Sequence, residues 1–139
     1  MKEGLKTNPL NAHRTGARYG AGIYFTDCFS KSECYTDNAK KVILLCEVAL
    51  GKKYNIENDT DYNSYFTLSN DKKNDYNSVV AQGSHFPNPK KNVVIANGMI
   101  MPSGEHIVQQ RTDKTRLGVF SEYVVKKNSQ VKVRYMVVF

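Results

Sequence analysis

Hydrophobic and polar residues alternate most regularly over residues 131–139, which have the sequence VKVRYMVVF. Apolar side chains occupy every odd position, and lysine or arginine occupies the first two even positions. A period of two is typical of a β-strand with one buried and one exposed face. This segment therefore predicts a strand that is apolar on one face and basic near the start of the other.

A second apolar segment, residues 42–50 (VILLCEVAL), is nearly continuous and ends at Gly51. Its length and its β-branched residues favour a central strand covered on both faces. Shorter apolar stretches predict further strands at 19–25, where a glycine-rich turn comes first, at 79–80, and at 122–125. Val93–Ile95 predicts another strand, because an Asn-Gly turn follows it.

Helical signals are few. Residues 30–37 predict one short helix, with Asp27 or Ser30 as its N-cap. Residues 55–78 are rich in asparagine, aspartate, lysine and tyrosine, and they predict a mobile surface insertion. Many short strands and few helices predict an α+β fold with mostly antiparallel sheet.

Composition limits the class of protein. The chain has 139 residues, 40% of them hydrophobic and 24% charged, which suits one globular domain or part of one. No apolar run reaches the ~18 residues that span a bilayer, so no membrane partner is expected. Three cysteines without a CxxC spacing predict neither a disulfide framework nor a zinc site.

The net charge of +7 favours polyanionic partners. Much of it lies in five lysine pairs that are dispersed along the sequence, which is typical of solvated turns and strand ends. No nucleic-acid-binding motif accompanies them. The pairs are Lys40-Lys41, Lys52-Lys53, Lys72-Lys73, Lys90-Lys91 and Lys126-Lys127.

Seven motifs together resemble the catalytic domain of poly(ADP-ribose) polymerases. In chain order they are GLKTNP, TGARYGAGIYFTD, SKSECY, ILLCEVALGKKY, SVVAQGSHFPNP, PSG and FSEYVVKKNSQVKVRYMV. The resemblance covers residues 1–139 and implies an ADP-ribosyltransferase-like fold, with two small antiparallel sheets around NAD+. It implies transfer of ADP-ribose from NAD+, as substrate, to acceptor proteins that include the enzyme itself, with poly(ADP-ribose) growth and release of nicotinamide. It also implies a nuclear protein, with the cytoplasm as the second choice.

The resemblance also assigns roles in NAD+ binding. Tyr24 and Tyr35 would flank the nicotinamide ring, because aromatic faces hold a partly cationic ring well. Ser32 would donate a hydrogen bond to the carboxamide of nicotinamide. Lys6 matches a basic position near the adenosine end of NAD+, and residues 7–18 would border the site.

Glu122 is the candidate catalytic residue. Breaking the bond between nicotinamide and ribose builds positive charge on the ribose ring, which a nearby carboxylate stabilises. The same carboxylate can polarise the hydroxyl of an incoming ADP-ribose. Lys31 matches a lysine that would pair with Glu122 and hold it ionised. No metal is expected in this chemistry.

One motif of the family is missing from the given sequence. The family's early strand carries a His-Gly segment that contacts ribose and nicotinamide, whereas His13, His85 and His106 all lie in other contexts. We therefore expect this chain to be a fragment that is poor or inactive alone, or a shortened remnant. The alternative function is a non-catalytic module that binds ADP-ribose or a nucleotide, or that acts as a scaffold. Nucleic acid is not expected to bind this domain.

Overall fold

Short strands dominate the computed structural model, which describes residues 5–6, 17–37, 39, 41–110 and 117–139. The strands are β1 (Ile23–Phe25), β2 (Val42–Val48), β3 (Lys53–Ile56), β4 (Ser78–Ala81), β5 (His85–Pro87), β6 (Val93–Ile95), β7 (Met99–Met101), β8 (His106–Val108), β9 (Glu122–Val125) and β10 (Val131–Val138). The α-helices are α1 (Phe29–Glu33), α2 (Asp59–Thr67) and α3 (Asn70–Asn74), with 3₁₀ turns at Pro89–Lys91, Ala96–Gly98 and Asn128–Gln130.

The largest sheet has four strands in the order β1-β9-β4-β3. Its strands are antiparallel except for β3 and β4, which are parallel. Three two-stranded antiparallel ribbons, β2 with β10, β5 with β8, and β6 with β7, complete the described sheets. The structure therefore confirms the α+β class with small, mostly antiparallel sheets and few short helices.

One face of the four-stranded sheet carries the hydrophobic core. Cross-strand partners share a face, so the pairs Val79–Val124 and Ala81–Glu122 place apolar side chains and the glutamate on the same side. Val79, Val124 and Ala81 are each at most 2% exposed. Tyr65 from α2 packs into this cluster. Glu122 therefore lies on the core face of the sheet, beside buried apolar residues.

The predicted surface insertion at 55–78 is wrong, because most of this segment is helical. Asn58 caps α2 by accepting a hydrogen bond from the N–H of Asp61, with 2.9 Å between nitrogen and oxygen. Ser69 caps α3 in the same way, through the N–H of Lys72. The apolar face of α2 consists of Tyr62, Tyr65 and Phe66, at the i, i+3, i+4 spacing of a helix. The residues of this face that reach the core are the tyrosines Tyr62 and Tyr65, so the segment contributes to the core although few of its residues are aliphatic.

The prediction of a doubly covered central strand at 42–50 is also wrong. Strand β2 pairs with β10 and with no other strand of the described residues, and Leu45 is 54% exposed. The partner strand β10 is irregular, because a register shift between Val133 and Tyr135 leaves Arg134 as a bulge. The period of two in the sequence therefore does not produce one uniformly buried face.

Candidate functional site

An ion pair joins α1 to the first residue of β9. Lys31 Nζ lies 2.8 Å from Glu122 Oε1, and both side chains are mostly buried, with exposed fractions of 17% and 15%. The pair holds two predicted site residues together, although 91 positions separate them (122 − 31). A carboxylate held in this way on the core face of the sheet has a defined position, which electrostatic catalysis requires.

Tyr24 lies on the same sheet face, because its cross-strand partner is Val124. Its hydroxyl donates to the carbonyl oxygen of Gly20 at 2.7 Å and accepts from the N–H of Tyr19 at 3.0 Å. Burial raises the pKa of Tyr24 to about 12; the hydrogen bond from Tyr19 opposes this shift and the negative charge of Glu122 adds to it. The phenol is therefore neutral at physiological pH and presents an aromatic ring beside Glu122.

The glycine-rich turn lets β1 approach β9 closely. A Cβ atom on Gly22 would lie 2.5 Å from a methyl carbon of Val124 and 2.6 Å from the carbonyl oxygen of Val125. Either contact is far shorter than ordinary van der Waals separation. Glycine at position 22 is therefore needed to seat β1, and with it Tyr24, against the strand that carries Glu122.

Ser32 and Tyr35 lie on the same short segment as Lys31. The N–H of Ser32 donates to the carbonyl oxygen of Cys28 within α1, and the N–H of Tyr35 donates to the carbonyl oxygen of Ser32 at 3.1 Å. Ser32 is half-buried, whereas Tyr35 is 70% exposed. Lys6 is exposed as well. Residues 7–16, which include His13, lie outside the described residues, so the predicted loop beside NAD+ stays a prediction.

The predicted cap of α1 is wrong, and the aspartate proposed for it has another contact. The N-cap is Cys28, without a side-chain hydrogen bond. Asp27 Oδ2 instead accepts from the hydroxyl of Tyr123 at 2.7 Å. Asp27 Oδ1 is buried and has no hydrogen-bond partner among the described residues. Sequence reasoning missed this pair, although Tyr123 is the neighbour of Glu122.

Asp27 predicts a pH-dependent contribution to stability. Burial raises the pKa of Asp27 above its ordinary 3.8, against the opposing effects of the Tyr123 hydrogen bond and the charges of His106 and Lys31. The folded state therefore holds the Asp27 proton to a higher pH than the unfolded state does. As the pH rises toward the pKa of the folded state, the free energy of unfolding decreases. Asp27→Asn keeps an acceptor for Tyr123 and has no carboxyl to titrate. As the pH rises above about 4, the ordinary pKa of an aspartate, we expect this variant to lose less stability than the parent.

Urea unfolding at a series of pH values measures this effect. Asp71→Asn is the matched control, since Asp71 is exposed on α3. Equal pH dependence in the parent and in Asp27→Asn would contradict the prediction.

Two of the histidines lie in strands. His85 begins β5 and His106 begins β8, and both rings pack against Phe120, with centroids 5.9 Å and 6.0 Å away. Within the described ranges, no three histidine, cysteine or acidic side chains are grouped to hold a metal ion. No described helix is long and apolar enough to cross a membrane.

Comparison with known proteins supports the resemblance. The family described as the poly(ADP-ribose) polymerase catalytic domain matches residues 1–139. "Poly [ADP-ribose] polymerase 2" of Arabidopsis thaliana is 33% identical over 99% of this chain and 21% of its own length. The protein of the same name from Zea mays is 35% identical over 98% and 20%. "Poly [ADP-ribose] polymerase 1" of Danio rerio is 35% identical over 98% and 13%. The chain thus spans about a fifth or less of these relatives.

Proposed function

Because the chain belongs to the poly(ADP-ribose) polymerase catalytic-domain family, we propose that it contributes the NAD+ site of an ADP-ribosyltransferase. The enzyme transfers ADP-ribose from NAD+ to protein acceptors, itself included, extends the product into poly(ADP-ribose) and releases nicotinamide. The observation that carries the proposal is the Lys31–Glu122 ion pair at 2.8 Å. It holds a carboxylate next to the segment that carries Ser32 and Tyr35.

In the proposed complex, the nicotinamide ring lies against Tyr24 and Tyr35, and the Ser32 hydroxyl bonds its carboxamide. Lys6 lies toward the adenosine end. When the bond between nicotinamide and ribose breaks, the electron pair leaves with nicotinamide and positive charge builds on the ribose ring. Glu122 stabilises that charge and orients the ribose hydroxyls. It also polarises the hydroxyl of an incoming ADP-ribose, whose oxygen forms the new bond to ribose while its proton passes to the carboxylate and then to solvent.

A second function is supported by the exposure of Tyr35. Tyr35 is 70% exposed, so a ligand ring stacked on it would stay open to solvent. Water would reach the ring beside it, and an open pocket loses the electrostatic advantage of a dry site. A module that binds ADP-ribose or a nucleotide without turnover fits this geometry. The two functions differ in one measurable quantity, the release of nicotinamide from NAD+.

The Tyr35→Ala variant tests the proposed binding site. Because the side chain is mostly exposed, we expect the free energy of unfolding to change by less than about 0.5 kcal/mol. Stacking on an aromatic ring contributes about 0.5–1.5 kcal/mol, so affinity for nicotinamide should fall by roughly 2- to 12-fold. Titration calorimetry with nicotinamide measures binding, and chromatography of an NAD+ reaction measures nicotinamide release.

Tyr135→Ala is the matched control, since Tyr135 is exposed to nearly the same extent, 68%, on β10. We expect it to leave nicotinamide binding unchanged. If a folded protein that carries the His-Gly segment as well as this chain binds nicotinamide without consuming NAD+, the nucleotide-binding module is favoured. Such a protein that is folded and binds neither nicotinamide nor ADP-ribose would contradict both functions.

A further inference from the structure

Three of the lysine pairs that are dispersed in the sequence meet at one end of the four-stranded sheet. Lys53 pairs with Ser78 at the start of β3 and β4, and Ser78 pairs with Val125 at the end of β9. The ends of these strands therefore bring together two pairs, Lys52-Lys53 and Lys126-Lys127, and α3 adds the pair Lys72-Lys73. We call this group the lysine patch: Lys52, Lys53, Lys72, Lys73, Lys126 and Lys127.

Backbone and side-chain hydrogen bonds hold the segments of the lysine patch together. The N–H of Lys52 donates to Asn77 Oδ1 at 2.8 Å. Gln130 Oε1 accepts from the N–H groups of Lys126 and Lys127, at 3.2 Å and 3.0 Å. The amide nitrogen of Gln130 donates to the carbonyl oxygen of Asn77 at 3.1 Å. One glutamine therefore joins the end of β9 to the start of β4, so the positions of these lysines are defined by the fold.

Lys72 and Lys73 on α3 join the patch through a contact between Lys73 and Lys126. Lys126 Nζ donates a hydrogen bond to the carbonyl oxygen of Lys73. Burial and the charge of Lys73 lower the pKa of Lys126. Aromatic rings support the side chains, since the ammonium of Lys73 lies 5.4 Å from the ring centroid of Tyr65 and that of Lys52 lies 5.0 Å from Tyr76. Positive charges are thus crowded together, although like charges repel.

The charge of the patch is not neutralised within the fold. In the part of the chain that the structure describes, none of its six lysines forms an ion pair with a carboxylate. Two acidic residues are close in sequence, Asp71 and Asp75 at α3, and both are exposed. Four of the lysines, Lys52, Lys53, Lys72 and Lys127, are exposed as well. The patch therefore presents a net positive surface to solvent.

The patch lies away from the proposed NAD+ site. Glu122 pairs with Ala81 at one end of β4, whereas Ser78, at the other end, adjoins the patch. A bound partner at the patch would therefore contact the end of β4 opposite to the one that adjoins Glu122. This separation makes a binding role independent of the chemistry proposed for Glu122.

We propose that the lysine patch binds the phosphate groups of a nucleotide polymer. Several ammonium groups on adjacent strand ends suit a ligand with regularly repeated negative charges, because each phosphate that is neutralised releases a counterion. Nucleic acids and ADP-ribose polymers both carry such phosphates. The proposal replaces the expectation that this domain binds no nucleic acid, which rested on the dispersion of the lysines in the sequence.

A triple variant, Lys53→Gln with Lys72→Gln and Lys127→Gln, tests the proposal. These side chains are exposed, so folding should be preserved, and thermal unfolding checks this. The probes are a short single-stranded oligothymidylate and an ADP-ribose polymer with a similar number of phosphates, measured by fluorescence anisotropy. We expect affinity at low salt to fall at least about tenfold. The slope of log K against log salt should become shallower by roughly 2, at about 0.7 per lost contact.

The control triple variant carries Lys90→Gln, Lys91→Gln and Lys132→Gln, three exposed lysines outside the patch. It changes the net charge by the same amount and should weaken binding less than about twofold. A preference for either nucleotide polymer would support the proposal and identify the source of the phosphates. Equal weakening in both triple variants would overturn it, because net charge alone would then explain binding. Equal binding of polyglutamate through the same lysines would also overturn it, in favour of an acidic peptide.

Discussion

Replacing Glu122 with glutamine, in a protein that carries the family's His-Gly segment as well as this chain, is expected to lower the rate of nicotinamide release from NAD+ by roughly 10²–10³-fold. Glutamine keeps the size and the hydrogen-bonding capacity of the side chain, but it removes the negative charge that faces the developing positive charge on ribose. The loss should appear in the rate of the chemical step and not in nicotinamide affinity, because the carboxylate acts on the ribose. Single-turnover reactions with excess protein, combined with nicotinamide titration, separate the two quantities.

The control for this variant is Glu33→Gln. Glu33 also forms an ion pair with a lysine, since its Oε1 lies 2.6 Å from Lys41 Nζ, and it belongs to the same helix, α1, as Lys31. Removing that pair should change turnover by less than about twofold, because a half-exposed pair contributes at most about 1 kcal/mol to stability. Equal rates in Glu122→Gln and in the parent would contradict the catalytic assignment. Equal losses in both variants would indicate a defect of α1 and not of the chemistry.

Local patterns predicted the strands whose partners are close in sequence. Val93–Ile95 and the Asn-Gly turn after it form a hairpin with β7, in which Asn97 and Gly98 have φ angles of 66° and 73°. The turn residues alone require this geometry. Glu122–Val125 is also a strand as predicted, although its partner strands β1 and β4 are distant in sequence. In these segments the local preference and the tertiary structure agree.

Predictions failed where burial depends on distant partners. The apolar sequence of β2 indicated a covered strand, but Leu45 is exposed because the described residues give β2 one neighbouring strand. The opposite error concerns α2, whose apolar face is built from Tyr62, Tyr65 and Phe66 in a polar segment. Composition measures the average polarity of a segment, whereas burial depends on which face meets the core.

In the candidate site, too, some features were predicted from the sequence and others depend on contacts between distant residues. The motifs pointed to Lys31 and Glu122, and the structure brings these two residues into contact. The Asp27–Tyr123 hydrogen bond links residues 96 positions apart, and no spacing rule connects them. The lysine patch was missed for the same reason, since its three pairs come together at the ends of β3 and β9 and on α3 but are far apart in the sequence. Long-range pairing of strands creates both features.

Replacing Gly83 with alanine is expected to destabilise the fold by about 2–3 kcal/mol. A Cβ atom at this position would lie 2.3 Å from the carbonyl carbon of Phe120, and 2.5 Å from both the nitrogen of Ser121 and the carbonyl oxygen of Val119. All three are backbone atoms, so no side chain can rotate away. The segment that leads into Glu122 would have to move, and the hydrogen bond from the Gly83 N–H to the Ser121 hydroxyl, 3.2 Å long, would be strained.

Thermal unfolding measures the loss, which corresponds to a decrease in Tm of roughly 8–12 °C at about 4 °C per kcal/mol. Gly118→Ala is the matched control, because Gly118 lies in the segment that a Cβ on Gly83 would strike, and an added Cβ on Gly118 would have its nearest contact at 3.6 Å, with the carbonyl oxygen of Phe120. That variant should unfold within about 0.5 kcal/mol of the parent. Since a shift of about 1 Å can cost 10²-fold in rate, Gly83→Ala should also impair turnover at temperatures where it is folded. A Gly83→Ala protein with the stability of the parent would show that the backbone near Glu122 tolerates displacement, and the position of Glu122 would then have to depend on Lys31 instead.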